Sequence, residues 1–380
     1  MKILINAVCA KKNAGGGFQI ALNFVRTALK DTDKSVEWYF LISDHIADAL
    51  NISESSNIFI APAQPDFRNT YWRVRKIIRR IEKELKPDVV YSIIAPSYFI
   101  INSKEVMRIT NPWVAHPNKY AEKTLTTKGR FRNIIYTYIQ KFLIRKCKYF
   151  ITQADYTADC IACIANVPRN NVHVISNVLP AVYKETDNTP ITDNQWINIT
   201  SVAAPFPHKN LDIIPDVLKE LKYNFNIENV RFHVTIPDNS PVWRMIKQKL
   251  EDYKLIDRVI NHGRMSQTEL AKLYRSSQMM FLPTLLEVFS ASILEAMYFD
   301  LKIVASDFPF NSTVIGDAGL YFKPTNAQDA ADKIAKIITN DNLKQKLSKR
   351  MNERLSDYGN YEEHFEKTKQ YLVEVGNTIN

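Results

Sequence analysis

Glu287-Val288-Phe289-Ser290-Ala291-Ser292-Ile293-Leu294-Glu295 closely follows the apolar run Met279-Met280-Phe281-Leu282-Pro283. The run reads as a short buried strand and the acidic stretch as the entry to a helix, so the segment is a strand–turn–helix edge carrying two carboxylates. In an open α/β sheet, ligands collect beyond the carboxyl ends of the strands, where a helix N-terminus also offers backbone N–H groups to an anion. One acid then sits at the crevice and the other just over two turns down the helix. Carboxylates there suit a hydroxyl-rich neutral group, a sugar or a ribose, while the helix end suits a diphosphate. A bare pair at this spacing also suits the solvated face of an amphipathic helix.

Working outward, short apolar runs alternate with longer helical patterns throughout, the pattern of parallel βαβ units. The first half places strands near residues 2–8, 38–42, 57–60, 89–94, 107–110, 149–152 and 173–176. The second half restarts near 197–202 and continues near 232–236, 259–261, 279–283 and 302–306. Between them, residues 179–195 hold Pro180 and Pro190, acids, Thr and Asn with little apolar periodicity, as a linker does. The expected organisation is an N-terminal Rossmann-like domain over 1–180, a linker over 181–195, a second Rossmann-like domain over 196–358 and a terminal helix over 359–380. Ser266 and Glu269 form a capping-box pair that fixes one helix start.

A chain of 380 residues with 46% hydrophobic content can fill two cores. The longest apolar stretch, 89–101, is broken by Pro96 and falls short of the ~20 residues that span a bilayer. The segment Met1 to Val8 carries one positive charge and is interrupted by Asn6, which makes it a first strand rather than a signal peptide. These features predict a cytoplasmic protein. Cys9, Cys147, Cys160 and Cys163 suggest no disulfide framework. Cys160 and Cys163 have the spacing of half a zinc site without a second half, so the cysteines read as small buried hydrophobes, with no metal and no cofactor expected.

The net charge of +10 is unevenly placed: residues 1–190 hold 27 Lys and Arg against 16 Asp and Glu, and residues 191–380 hold 23 against 24. Much of the excess lies in 68–86, with eight bases and two acids, and in 123–148, with eight bases and no acid. In the first, Val74, Ile77, Ile78, Ile81 and Leu85 recur at helical spacing, leaving the charges on the opposite face. The second, with Phe131, Ile134, Ile135, Tyr138, Phe142 and Ile144, reads the same way. Such helices suit an anionic membrane surface, or a solvated face against the core. No motif accompanies them that would point to nucleic acid.

Gly15-Gly16-Gly17 follows the first strand and opens a helix, so backbone can approach a ligand there. It is not the G-x-G-x-x-G fingerprint. Lys209, at a helix entry after a strand, is the leading cation for a diphosphate, with His208 and Arg264 to assist. No partner set for serine or cysteine nucleophilic catalysis is visible.

The C-terminal half resembles the retaining GT-B glycosyltransferases of the large bacterial family 4. The two-glutamate motif is followed in order by Ala296-Met297, Lys302-Ile303-Val304-Ala305-Ser306, Gly316-Asp317-Ala318-Gly319 and Tyr321-Phe322-Lys323-Pro324, and preceded by Pro207-His208-Lys209-Asn210. The resemblance implies two Rossmann-like domains facing across a cleft, with the last helix crossing back to the first domain. It implies that Glu287 contacts sugar hydroxyls, that Glu295 contacts the ribose, and that the backbone of Phe289, Ser290 and Ala291 cradles the diphosphate or sugar. It further implies that the loop with Gly16 and Gly17 faces donor and acceptor, and that His116 lies near the reacting sugar. Two positions depart from the pattern: Ala204 stands where the family has an Arg five residues before Lys209, and Val288 and Ser290 replace the glycines around the Phe. Arg264 is the candidate substitute for that Arg. The implied activity is metal-independent transfer, with retention, of a hexosyl or hexosaminyl group from a nucleotide-diphosphate sugar to a glycolipid or oligosaccharide acceptor at the inner face of the cytoplasmic membrane. An NDP-sugar epimerase of the same architecture, and a non-catalytic basic membrane-binding protein, are the alternatives.

Overall fold

The alternating pattern builds two parallel sheets. A computed structural model describes the chain except residues 13–15, 65, 67, 68, 192–194, 379 and 380. Contacts group residues 1–116, 129–176 and 362–380 in one unit, and 117–128 with 177–361 in the other.

In the first unit β1 (Lys2–Ala7), β2 (Glu37–Ser43), β3 (Ile58–Ala61), β4 (Val89–Ala95), β5 (Glu105–Ile109), β6 (Tyr149–Thr152) and β7 (Val172–Val174) form one sheet in the order β3-β2-β1-β4-β5-β6-β7. Side chains alternate between the two faces of a strand, and both faces here are covered, so the strands read as nearly unbroken apolar runs. Ile3, Ile5, Phe40, Ile42 and Tyr91 pack with Phe24 of helix Gly16–Ala28 and with Phe365 and Leu372 of the last helix, Tyr361–Asn377. Leu4, Leu41 and Val90, on the opposite face, pack with Val74, Ile78 and Ile81 of helix Tyr71–Leu85. The last helix is fixed further by Lys369, which pairs with Asp31 at 2.8 Å and Asp33 at 2.9 Å.

The basic face of helix Tyr71–Leu85 is as its spacing predicts, with Arg68 outside the described residues. The second basic helix corrects the reading. In Thr127–Ile144 the buried residues are Gln140, Leu143 and Ile144, whereas Phe131, Ile134, Ile135, Tyr138 and Phe142 are exposed. Among the cysteines, Cys9 and Cys147 are buried, but Cys163 is exposed and Cys160 only half-buried. Among the described residues no helix is long and apolar enough to cross a membrane.

The second unit holds β8 (Ile197–Ser201), β9 (Val230–Val234), β10 (Val259–Asn261), β11 (Met279–Leu282), β12 (Lys302–Ser306) and β13 (Gly319–Phe322), in the order β10-β9-β8-β11-β12-β13. The capping box is present, with Ser266 accepting from Glu269 N and the Glu269 carboxylate accepting from Ser266 N at the start of helix Gln267–Arg275. β13 adds an edge strand that the apolar pattern alone did not single out. Its turn needs both glycines. Gly316 sits at φ 61°, ψ −129°, and a Cβ on Gly319 would lie 2.8 Å from Ile315 Cγ2 and 3.1 Å from the Ile303 carbonyl. Within the stretch read as a linker, Tyr183 is fully buried, and Arg275 donates to Thr189 O at 2.8 Å and pairs with Asp187 at 2.9 Å.

Candidate functional site

In the second sheet the chain leaves β8 outward to β9 and β10, returns to β11 on the other side of β8, and proceeds outward to β12 and β13. The loops leaving β8 and β11 therefore diverge, and a crevice opens at their carboxyl ends. It is lined by Ser201, Ala203, Lys209, Pro283, Thr284 and Ser290.

After β8 the chain enters a 3-10 turn, Pro207–Lys209, which ends at Asn210 with φ 54°, a left-handed conformation that Asn tolerates. Three hydrogen bonds tie this turn and its surroundings to the loop after β11. Asn210 Nδ2 donates to Pro283 O at 3.3 Å, Leu285 N donates to His208 O at 2.8 Å, and Asn118 Nδ2 donates to Leu285 O at 2.9 Å. Held in this way, Lys209 Nζ donates to Glu287 Oε2 in an ion pair whose side chains are 17% and 18% exposed. The sequence marks both residues without marking that they meet. Asn118 was also not anticipated, because its partner lies 167 positions away and no local pattern records it.

His208 stacks on Phe206, with ring centroids 5.6 Å apart. Burial, and then the neighbouring Lys209 charge, push its imidazole down to about 4, so it is neutral at neutral pH. Arg264 is exposed and follows β10, two strands from β8, hence about 10 Å along the sheet.

Glu287 lies in the loop rather than on the helix, and Glu295 is about one turn into the helix Ala291–Tyr298 rather than two. Ser290 is the N-cap residue, its hydroxyl 2.8 Å from that of Ser292. Phe289 and Val288 are buried, with Phe289 edge-on to Tyr358 at 5.9 Å. Glu295 is buried too, and Tyr274 Oη donates to its Oε2 at 2.5 Å. Burial raises this carboxyl above its ordinary range, against the Tyr274 and Tyr183 hydroxyls that favour its charged form. The signal for that burial was present in the sequence. Ile293, Leu294, Ala296 and Met297 make the helix apolar on every side, so an acid among them has to be enclosed.

In the first unit Gly16 and Gly17 open the helix after β1, while Gly15 is outside the described residues. Among the described residues, a Cβ on Gly16 would meet nothing within 4 Å, and one on Gly17 only Ile94 at 3.7 Å. Among the described residues, then, these glycines answer to no crowding. His116 ends the short helix Pro112–Ala115 and is buried, stacked on Tyr156 at 4.7 Å with Nε2 2.9 Å from Thr157 Oγ1. Burial pushes its imidazole down to about 4.

Residues 184–354 match the family model described as glycosyl transferases group 1. An O-antigen chain mannosyltransferase of Salmonella typhimurium is 22% identical over 206 residues, 54% of this chain and 55% of the relative, so the chain spans about half the length of that relative. Among solved structures, a glycosyltransferase from Rickettsia africae is similar at TM-score 0.71 and 15% identity, over 100% of this chain and 99% of that one. The HepE protein of Anabaena, crystallised in complex with UDP, is similar at TM-score 0.73 and 13% identity, over 98% and 100%. The two doubly wound sheets are those of the GT-B fold.

Proposed function

We propose that the chain, whose residues 184–354 match the model of the group 1 glycosyl transferases, moves a hexosyl or hexosaminyl group from a nucleotide-diphosphate sugar to a lipid-linked or polysaccharide precursor. Transfer proceeds with retention and without a metal ion, at the cytoplasmic face of the membrane. The second unit takes the nucleotide sugar; the first, with Gly16, Gly17 and His116, takes the acceptor. The observation that carries this reading is the meeting of Lys209 and Glu287 at the switch point of the second sheet, beside the N-terminus of helix Ala291–Tyr298.

In this role Lys209, helped by Arg264 and by the amides around Phe289, Ser290 and Ala291, stabilises the diphosphate as it leaves with the bonding electron pair. Glu287 orients the sugar hydroxyls as the anomeric carbon gains positive charge. Glu295 accepts from the ribose. The acceptor oxygen bonds to the anomeric carbon, and its proton passes to a departing phosphate oxygen. His208, neutral and stacked, supplies shape and hydrogen bonding rather than charge.

The test is a panel of nucleotide sugars with membrane extracts or short glycans as acceptors. Release of free nucleotide only when acceptor is added supports transfer; interconversion of donors without acceptor would identify an epimerase instead. With a working pair, EDTA should leave turnover unchanged and NMR of the product should show the donor's anomeric configuration. Rescue by Mn²⁺ after chelation, or an inverted product, would overturn the mechanism.

A further inference from the structure

Helix Thr127–Ile144 packs inward through Gln140, Leu143 and Ile144. Gln140, buried, accepts from Asn111 Nδ2 at 2.7 Å and donates to Tyr98 Oη at 2.6 Å, which fixes the packed face. The other face then looks outward with Phe131, Ile134, Ile135, Tyr138, Ile139 and Phe142, exposed by 68, 60, 44, 75, 39 and 49%. They recur every three or four residues, so they form one stripe along the helix. A contiguous apolar stripe of this length on a surface marks a binding face. The segment 123–148 that contains it holds eight bases and no acid.

The neighbouring helix Tyr71–Leu85 extends the same composition. Tyr98 is edge-on to Tyr136 at 6.5 Å, Phe99 stacks on Tyr71 at 5.0 Å, and next to Tyr71 the ring of Trp72 is 71% exposed with the Arg75 guanidinium 5.2 Å from its centre. An apolar stripe within a basic segment, with an exposed Trp on a second basic helix, has the chemistry of a helix lying in a membrane interface, where Lys and Arg reach up to the headgroups.

We propose that helix Thr127–Ile144 is a membrane-docking element that inserts its apolar stripe into a bilayer carrying anionic headgroups. A second copy of the chain is a poorer occupant, because a two-fold contact through this face would set the bases of one copy against the same bases of the other. The inference rests on the membrane-borne acceptor proposed above and names the element that would reach it.

The experiment uses the full chain, without sugar nucleotide, and sedimentation with vesicles of phosphatidylcholine alone or mixed with phosphatidylglycerol. The wild type should partition onto the anionic vesicles at least about tenfold better, and raised salt should weaken this binding without abolishing it, since apolar insertion is not screened. The variant Ile134→Ser/Tyr138→Ser/Phe142→Ser should keep the wild-type circular dichroism and melting midpoint, because all three side chains are exposed, and should lose at least about tenfold in partitioning. Lys141→Glu/Lys146→Glu leaves the stripe intact and should lose the preference for phosphatidylglycerol. Anionic-vesicle binding by the serine variant equal to wild type, or complete loss of wild-type binding in high salt, would overturn insertion. So would a wild-type dimer that does not bind vesicles and that the serine variant dissolves. No vesicle binding alongside transfer to soluble acceptors would remove the docking element alone; vesicle binding without any transfer would remove the enzymatic reading alone.

Discussion

Lys209 and Glu287 hold each other in the second unit, and that pairing sets the sign of two measurements. A diphosphate has to take Lys209 from its partner. Lys209→Ala should therefore lower affinity for UDP and GDP by roughly tenfold or more, since loss of a charged hydrogen-bond partner typically costs about 1.5–3 kcal/mol. Glu287→Ala releases the lysine, so nucleotide affinity should stay level or rise while kcat falls, because the lost sugar contact strengthens in the transition state. Calorimetry and steady-state kinetics separate the two outcomes; weaker UDP binding in Glu287→Ala would mean that the glutamate supports the nucleotide itself. At this scale the sequence located the residue types and not their partners. Lys209 and Glu287 are 78 positions apart, and His116 and Thr157 are 41 apart. Contacts at such separations come from the order of strands in a sheet, which periodicity does not record.

Elements were more legible, for a reason that also marks where legibility ended. β6 and β12 fall on the residues that their apolar runs predict, because a strand covered on both faces has to be largely apolar, and the short edge strand β10 falls on its predicted residues too, although Ile260 in it is exposed. The Ser266–Glu269 box fixed a helix start because both bonds of that motif are local. Helical spacing, by contrast, tells which residues share a face and not which way the face looks. Helix Tyr71–Leu85 buries its apolar side and Thr127–Ile144 exposes it. Glu82 shows what a helix in the first case can carry. Its buried carboxylate accepts from Asn102 N at 2.8 Å, Asn102 Nδ2 at 3.3 Å, Ser103 N at 2.8 Å and Ser103 Oγ at 2.9 Å, closing the loop before β5. Glu82→Ala strands two backbone donors and should cost on the order of 3 kcal/mol in urea unfolding, with Glu82→Gln milder because one acceptor oxygen remains. An alanine variant within about 0.5 kcal/mol of wild type, the range of ordinary surface changes, would mean that the loop is held by its apolar neighbours.

Over the whole molecule, the excess of bases in residues 1–190 was open to reading because charge adds up without regard to structure. Which titratable groups the fold encloses was not. His116, His208 and His233 are held down at about 4, and His364 at about 3, in each case chiefly by burial. In the unfolded chain a histidine takes up its proton near pH 6.5. Between about 6.5 and 4 the unfolded state therefore binds more protons than the folded one, so stability should be full above pH 7 and fall as pH drops through that window. His364 gives the cleanest case: it is 7% exposed on the last helix, with Nδ1 donating to Ser176 O at 2.9 Å. At about 1.4 kcal/mol per pKa unit, this one residue accounts for roughly 3 kcal/mol of the loss by pH 4. Calorimetric melting from pH 8 to pH 4 should show a flat midpoint down to about 7 and a steep decline below. In His364→Gln, which keeps a donor for the Ser176 carbonyl but cannot titrate, the midpoint should decline less steeply with pH, whatever its value at pH 8. Equal slopes in the two proteins would mean that carboxylates, not the buried imidazoles, govern the acid limb.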